Sequence, residues 1–426
     1  MSVTKRYFLG SLLFLGLVIP TSAAVYFQVT LLAPDLLMLS TDQGSYCNNS
    51  LLFSGVEGML LVDTHSGSDG DALKEFVDSL GFGAPRYIIN THRHEEHIGG
   101  NALFGPDPII IAHHLFPDKL RSGTFLFSEY PSIAFPDITL ADSLELFFNG
   151  ELIRLVNISG SHDDNEIMVH FTSRGIAHIS SVVNGFNFPS IDKDGDLFQF
   201  EPQVRRLMQL LPQDVRLVSG HNGRGNGFEF LGSWDQLAPY AEMMKTTVEI
   251  VRQELAEGRT LEEMQNAGVL NGFKQYAGSY VGTDDWLLYL VDALTVPGAT
   301  SEDICIPLFE AWKQEGAQAA VDCYRRLVDE QEEKYDFHET TLLSIGAKLY
   351  TRGLYADAIV FLLGCAERYP EGDYTYYTHY LIARGFQKLD RLEEAVTQCR
   401  ESLRLKPEFE DAAGLLKELS AVETGQ

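Results

Sequence analysis

The sequence predicts an α+β chain in which a strand-rich body is followed by a wholly helical one, and three observations carry that expectation. From residue 25 to about residue 232, short apolar runs such as Met59-Leu60-Leu61-Val62, Tyr87-Ile88-Ile89, Ile109-Ile110-Ile111 and Leu217-Val218 alternate with Gly, Pro, Asn and Asp, the punctuation of strands. From Trp234 the spacing turns helical, as in the stretch Ala241 to Leu255, with apolar side chains three and four apart. A Pro/Gly break at residues 295–300 then precedes a segment that keeps helical spacing to the end.

A chain of 426 residues exceeds what one hydrophobic core usually organises. The expected divisions are a leader at 1–24, a strand-rich domain at 25–294 closed by helices over 234–294, and a helical domain at 301–426. Hydrophobic residues make up 45% and charged residues 22%, enough apolar material for packed cores and too little charge for extended disorder. The net charge of −28, unbroken by any basic cluster, repels phosphate backbones and excludes nucleic acid as a partner.

The leader carries Lys5 and Arg6, an apolar or small run from Tyr7 to Val18, then Pro20, Thr21, Ser22, Ala23 and Ala24. That is the layout of a cleavable secretory signal. Its apolar run of about a dozen residues falls short of the roughly 20 that cross a bilayer. A secreted or periplasmic protein with no membrane span after cleavage is therefore expected. The five cysteines, Cys47, Cys305, Cys323, Cys365 and Cys399, are too sparse for a dense disulfide framework, form at most two pairs and contain no CxxC.

In the helical segment Gly346, Ala358, Cys365 and Pro370 recur as Ala383, Ala395, Ser402 and Pro407, an offset of 37. Small residues belong where two helices cross closely, and proline where the second one ends. The spacing resembles the tetratricopeptide repeat, whose period is 34, with three extra residues expected in the loop holding Glu371, Gly372, Asp373 and Tyr374. Helices over about 307–336, turning at Gly316 and Ala320, and over about 409–422 are expected as caps, because two repeats alone bury too little. Such a domain offers a surface for a protein or peptide partner.

The chemistry concentrates after the strand Tyr87-Ile88-Ile89, in Asn90-Thr91-His92-Arg93-His94-Glu95-Glu96-His97. Neutral imidazole is the commonest biological ligand for zinc, and a turn after a strand can aim His92 and His94 at one ion while His97 starts the next helix. Two isolated histidines stand at further strand-end turns: His162 in Gly160-Ser161-His162-Asp163, and His221 in Ser219-Gly220-His221 directly after Leu217-Val218. No GxSxG elbow, no phosphate loop and no EF-hand spacing accompanies them. Metal chemistry is the one strong signal.

Taken in order, HxHxEH, a later single histidine and a Gly-His turn resemble the metallo-β-lactamase superfamily, whose first motif is HxHxDH, over about residues 25–294. Val62-Asp63-Thr64, Ile111-Ala112-His113 and Gly282 to Trp286 resemble its secreted or periplasmic branch of hydrolases. The resemblance implies a four-layer αββα sandwich with metals at one edge. It assigns His92, His94 and His162 to a first zinc, and Glu96, His97 and His221 to a second. It further implies a zinc-activated water attacking an ester, thioester, lactone or lactam carbonyl of a small-molecule substrate, with Glu96 as the catalytic residue that orients the nucleophile and passes a proton. By the same resemblance Asp63 lies buried near the metals, His65 serves first as a turn residue, His113 and His178 make hydrogen bonds, and His114 is exposed.

Two departures stand out. Glu96 occupies the place of the family's Asp, and its extra methylene moves the carboxylate by roughly 1 Å, where ligand distances tolerate about 0.2 Å. A serine, Ser181 in preference to Ser180, takes the place of an Asp that bridges two metals in many members. The first zinc is therefore expected firmly and the second is left open. These departures also motivate an alternative, a catalytically degenerate metal- and peptide-binding protein working through its helical repeats. Iron with redox chemistry is a further variant of the fold.

Overall fold

The computed structural model describes residues 18–20, 26–41, 47–122, 130–191, 195–221, 232–278, 281–295, 304–331, 334–335 and 337–423. Most of the leader, residues 1–17 and 21–24, lies outside them, while Val18–Pro20 is an edge strand paired antiparallel with Tyr26, Phe27 and Gln28. Among the described residues no helix is long and apolar enough to cross a membrane. All five cysteines are present as thiols. The chain divides into two compact units, Met1–Phe116 with Ser132–Pro297, and Pro117–Pro131 with Gly298–Gln426.

The apolar runs of the first unit form two sheets. The eight-stranded sheet keeps sequence order: β1 (Val18–Pro20), β2 (Tyr26–Ala33), β3 (Leu36–Thr41), β4 (Asn49–Gly55), β5 (Gly58–Val62), β6 (Tyr87–Ile89), β7 (Ile109–His113) and β8 (Ile138–Leu140). It is antiparallel up to β5 and parallel from β5 to β8. The six-stranded sheet contains β9 (Ser143–Phe148), β10 (Glu151–Asn157), β11 (Ile167–Phe171), β12 (Ile176–His178), β13 (Arg216–Val218) and β14 (Gly232–Ser233), with β12 and β13 parallel.

Three apolar cores stack these sheets. Leu51, Phe53, Leu60 and Val62 of the first sheet meet Ile153, Leu155, Val169 and Phe171 of the second. Alternation along each strand sends the other side chains outward, so Leu52, Leu61 and Ile88 pack under Ala72, Leu73 and Val77 of α1 (Gly67–Ser79). The short α2 (Glu95–Ile98) and α3 (Phe116–Ser122) follow β6 and β7. Met168, Ala177 and Leu217 of the second sheet pack under α4 (Phe200–Leu210), α5 (Trp234–Ala256), α6 (Leu261–Ala267) and α7 (Thr283–Thr295). Helix, sheet, sheet, helix is the αββα sandwich that the resemblance implies. Arg174, in the β11–β12 turn, clasps the two sheets, pairing with Asp35 of the β2–β3 turn and with the buried Glu151 of β10 while lying 4.8 Å over the Phe53 ring.

The second unit is helical: α8 (Cys305–Glu315), α9 (Ala317–Glu330), α10 (Glu339–Thr351), α11 (Tyr355–Arg368), α12 (Thr375–Lys388), α13 (Leu392–Leu405) and α14 (Glu410–Glu423). The repeat read from the sequence maps onto successive hairpins, since α11 and α13 begin at Tyr355 and Leu392 and end at Arg368 and Leu405, 37 residues apart. Gly346 lies at a close crossing: a Cβ built there would sit 2.5 Å from Leu362 Cγ of α11. Overpacking a tight crossing costs about 1–3 kcal/mol, so Gly346→Val should lower the urea midpoint of this unit, whereas an unchanged midpoint would show that the crossing yields.

Candidate metal centre

The loop after β6 sets the first donors. Thr91, His92 and Arg93 are non-helical, and His94 caps α2 in an extended conformation (φ −61°, ψ 142°), so that His97 projects from a new helical turn. The glycines that follow are a packing requirement. A Cβ on Gly100 would collide with the Thr64 carbonyl, and Thr64 N–H donates to His97 O at 2.8 Å.

Other loops converge on this one. Asp63 follows β5, His162 lies between β10 and β11, Ser180 and Ser181 follow β12, and His221 follows β13. Most leave the carboxyl ends of parallel strands, where open sheets place their ligands. Backbone bonds fasten the loops: Asn48 bridges His221, Asn49 N–H donates to Gly220 O at 2.9 Å, and Gly220 N–H donates to Ser180 O at 2.7 Å. Three non-glycine residues here, Asp63, His65 and Ser180, hold φ of 62°, 56° and 53°, a conformation that costs free energy and gathers at functional sites.

The structure brings all six sequence-predicted donors together, in the two groups expected. One ligand atom from each of His92, His94 and His162 falls within 4.8 Å of the others, and the same holds for Glu96, His97 and His221. The groups adjoin, with the rings of His92 and His97 4.2 Å apart. The longer Glu96 side chain is accommodated: its Oε1 lies 3.8 Å from His94 Nδ1 and 3.9 Å from His221 Nε2, between the two groups.

The nitrogen behind four of the five imidazoles is anchored. His97 Nδ1–H donates to Asp63 Oδ2 at 2.7 Å and His162 Nδ1–H to Ser190 O at 2.9 Å, while His94 Nε2 lies 3.4 Å from Asp163 Oδ2. His92 Nδ1 faces the hydroxyls of Thr91 at 3.2 Å and Ser180 at 3.3 Å. The opposite nitrogens, His162 Nε2 with His94 Nδ1 at 3.3 Å and His97 Nε2 with His221 Nε2 at 3.1 Å, turn towards each other. His92 Nε2 is buried and has no hydrogen-bond partner among the described residues. Fixed imidazoles with converging lone pairs, and the orphaned Nε2 of His92, fit a divalent cation.

Several residues that shape the site were missed in the sequence. Arg93, between the first two histidines, is 3% exposed and donates through Nε to Asp163 Oδ2 at 2.9 Å. Its own N–H donates to Asn165 Oδ1 at 2.9 Å, and Asn165 Nδ2 donates to Asp163 Oδ1 at 2.8 Å. This lattice locks the His162 loop to the His92 loop. Charged residues are rarely buried unless paired, so Arg93 inside HxHxEH and Asp163 beside His162 were the available hint.

The other named residues also find places. Asp63 is buried, accepting from Thr91 N–H at 2.8 Å and Thr91 Oγ1 at 2.7 Å besides His97. His65 adopts a turn conformation and contacts Ser50 Oγ at 2.9 Å. His178 accepts from Ser180 N–H at 3.3 Å and donates to Asn49 O at 3.4 Å. His113 Nδ1 accepts from Leu115 N–H at 3.4 Å, and His114 is exposed. Ser181 Oγ is buried with no hydrogen-bond partner among the described residues; a Cβ on Gly220 would lie 3.0 Å from it and 3.1 Å from His97 Cε1.

Burial first, then the neighbouring His97, holds His92 and His221 well below the ordinary imidazole range. Burial pushes His65 down to about 3 and His178 to about 4. It pushes the Glu166 carboxyl up to about 8, with help from the Asp163 charge. His113 and His170 are also lowered, by burial first, whereas Glu166 is a raised carboxyl. An unfolded chain protonates each imidazole as pH falls through about 6.5, while the folded chain does not, so their stabilisation is complete above that pH and is lost below it. Glu166 acts in the opposite sense, its contribution falling as pH rises from 4.5 towards about 8. Urea unfolding at pH 5 should therefore give a lower stability than at pH 7.5, by about 2 kcal/mol for each buried imidazole. His178→Asn should narrow the difference; an equal difference would mean that His178 is not the neutral group described.

Residues 44–221 match the family model of the metallo-β-lactamase superfamily. With its sheet-rich sandwich, the first unit is a metallo-β-lactamase-type domain, and an all-helical region follows it. Among solved structures the chain is similar to a metallo-β-lactamase from Pontibacter korlensis, at 18% identity and a TM-score of 0.44 over 51% of this chain and 99% of that one. It is likewise similar to the DIM-1 metallo-β-lactamase, at 16% identity and a TM-score of 0.42, covering 52% and 97%.

Proposed function

We propose that the first unit is a zinc-dependent hydrolase acting on an ester, thioester, lactone or lactam carbonyl of a small molecule. The observation that carries this reading is the convergence of six donor side chains into two adjoining groups. His92, His94 and His162 would hold one ion, and Glu96, His97 and His221 a second. Zinc there supplies a Lewis acid that polarises a carbonyl and lowers the pKa of water to about 7.

The protein's own residues supply the rest. Asp63, Asp163, the Ser190 carbonyl and the Thr91 and Ser180 hydroxyls hold the imidazoles in register. Glu96 is partly exposed, and its Oε1, lying between the groups, is placed to take the proton of an attacking water and return it to the leaving group. The buried Ser181 hydroxyl offers a hydrogen bond without the charge of a carboxylate. We read the helical unit as tetratricopeptide-like, with a surface for a protein or peptide partner, and the leader as directing export.

The test is metal content after mild purification, followed by a screen of lactones, thioesters and β-lactams with zinc added. Turnover that Glu96→Asp diminishes supports a functional glutamate. A silent wild type that Glu96→Asp awakens supports the degenerate, binding reading instead. A protein that neither retains nor binds zinc overturns both.

A further inference from the structure

We infer that Asn49, at the start of β4 in the first sheet, is a positioning residue that sets His221, a donor carried by the second sheet, in place for the second ion. The inference rests on the metal-centre reading above and extends it to a side chain outside the six donors. The His221 turn follows β13, and its own sheet holds it on one side: Ile179 N–H donates to Val218 O at 2.8 Å and Gly220 N–H to Ser180 O at 2.7 Å. The next two carbonyls, those of Ser219 and Gly220, turn to the other sheet, and Asn49 takes both. Its Nδ2–H donates to Ser219 O at 2.8 Å and its backbone N–H to Gly220 O at 2.9 Å, while Asn48 bridges His221 itself.

Hydrogen counting fixes which way the amide points. A carbonyl only accepts, so the Asn49 atom facing Ser219 O is the nitrogen, and the amide oxygen is left to accept the Ser40 hydroxyl of β3 at 2.6 Å. Asn49, Ser40 and Ser219 are all buried, where a carbonyl left unpaired costs free energy. The turn also abuts the second group. A Cβ on Gly220 would lie 3.1 Å from His97 Cε1, and His221 Nε2 is 3.1 Å from His97 Nε2. A displaced turn therefore moves one donor against another, where metal distances tolerate only about 0.2 Å.

Asn49→Leu keeps the volume of the side chain and removes its donor. The experiment measures zinc affinity, by competition with a chromogenic chelator, in full-length chains that keep one group whole: His162→Ala, which leaves the second group, and His221→Ala, which leaves the first. Adding Asn49→Leu is expected to weaken zinc 10- to 100-fold in the His162→Ala chain, the range typical for outer partners of metal ligands. In the His221→Ala chain it should change affinity by less than about twofold, because the first group does not draw on the His221 turn. A general loosening of the fold would weaken both chains.

Ser40→Ala removes only the hydroxyl that orients the amide, so it should act on the same chain in the same direction, and it decides alone if Asn49→Leu does not fold. An effect on both chains alike, on the His221→Ala chain only, or on neither overturns the role of Asn49 and leaves the metal-centre reading standing. If the His162→Ala chain binds no zinc, the second group is not a metal site and this inference falls with it.

Discussion

Replacing His92 and His162 together by alanine is expected to abolish zinc binding at the first group and to reduce carbonyl hydrolysis by about a thousandfold or more. Both imidazoles are buried, and each presents a nitrogen whose opposite partner is already fixed, His162 by Ser190 O at 2.9 Å and His92 by two hydroxyls. Without them His94 alone remains of that group. A metal contributes several kcal/mol of transition-state stabilisation, and each 1.36 kcal/mol is a tenfold change in rate. Zinc content by elemental analysis and steady-state rates check this together, with circular dichroism to confirm folding. Undiminished hydrolysis in a folded double variant would end the case for a zinc hydrolase.

Asp163→Ala is expected to have the largest effect on stability. Arg93 and Asp163 are 3% and 0% exposed, and the variant leaves a buried guanidinium without this carboxylate. It also removes the acceptor for the Asp164 N–H at 2.6 Å and the Asn165 amide at 2.8 Å, and the oxygen 3.4 Å from His94 Nε2. Breaking a buried pair from one side costs about 3–5 kcal/mol, whereas replacing both members by apolar residues is often neutral. Urea unfolding should show that loss for Asp163→Ala and recovery of much of it in an Arg93→Met, Asp163→Leu double variant. A cost below about 1 kcal/mol would mean that solvent reaches the pair.

The sequence made the donors legible because their chemistry is unusual and local: three imidazoles in six positions need no tertiary knowledge to attract notice. His162 and His221 were legible from their places after apolar runs, since strand ends are where loops gather. The supporting bonds were not. Whether Thr91 accepts from His92, or Arg93 meets Asp163 seventy residues away, depends on two sheets being packed face to face. Glu96 shows the limit from the other side. Its extra methylene argued against a second site, yet the α2 backbone that carries it leaves Oε1 within 4 Å of His94 and His221. The helical repeat was read from four small or proline positions, and its offset of 37 recurs in the bounds of α11 and α13.

Each donor group draws from both sheets: His92 and His94 follow β6 of one sheet while His162 belongs to the other, and Glu96 and His97 are likewise matched by His221. An ion seated there is a rivet through the sandwich, so occupancy and cohesion share one equilibrium. By mass action, free ion at a thousand times its dissociation constant adds about 4 kcal/mol to the folded state. Where the proposed ion binds, its supply would thereby set how strongly the packing of the two sheets is favoured.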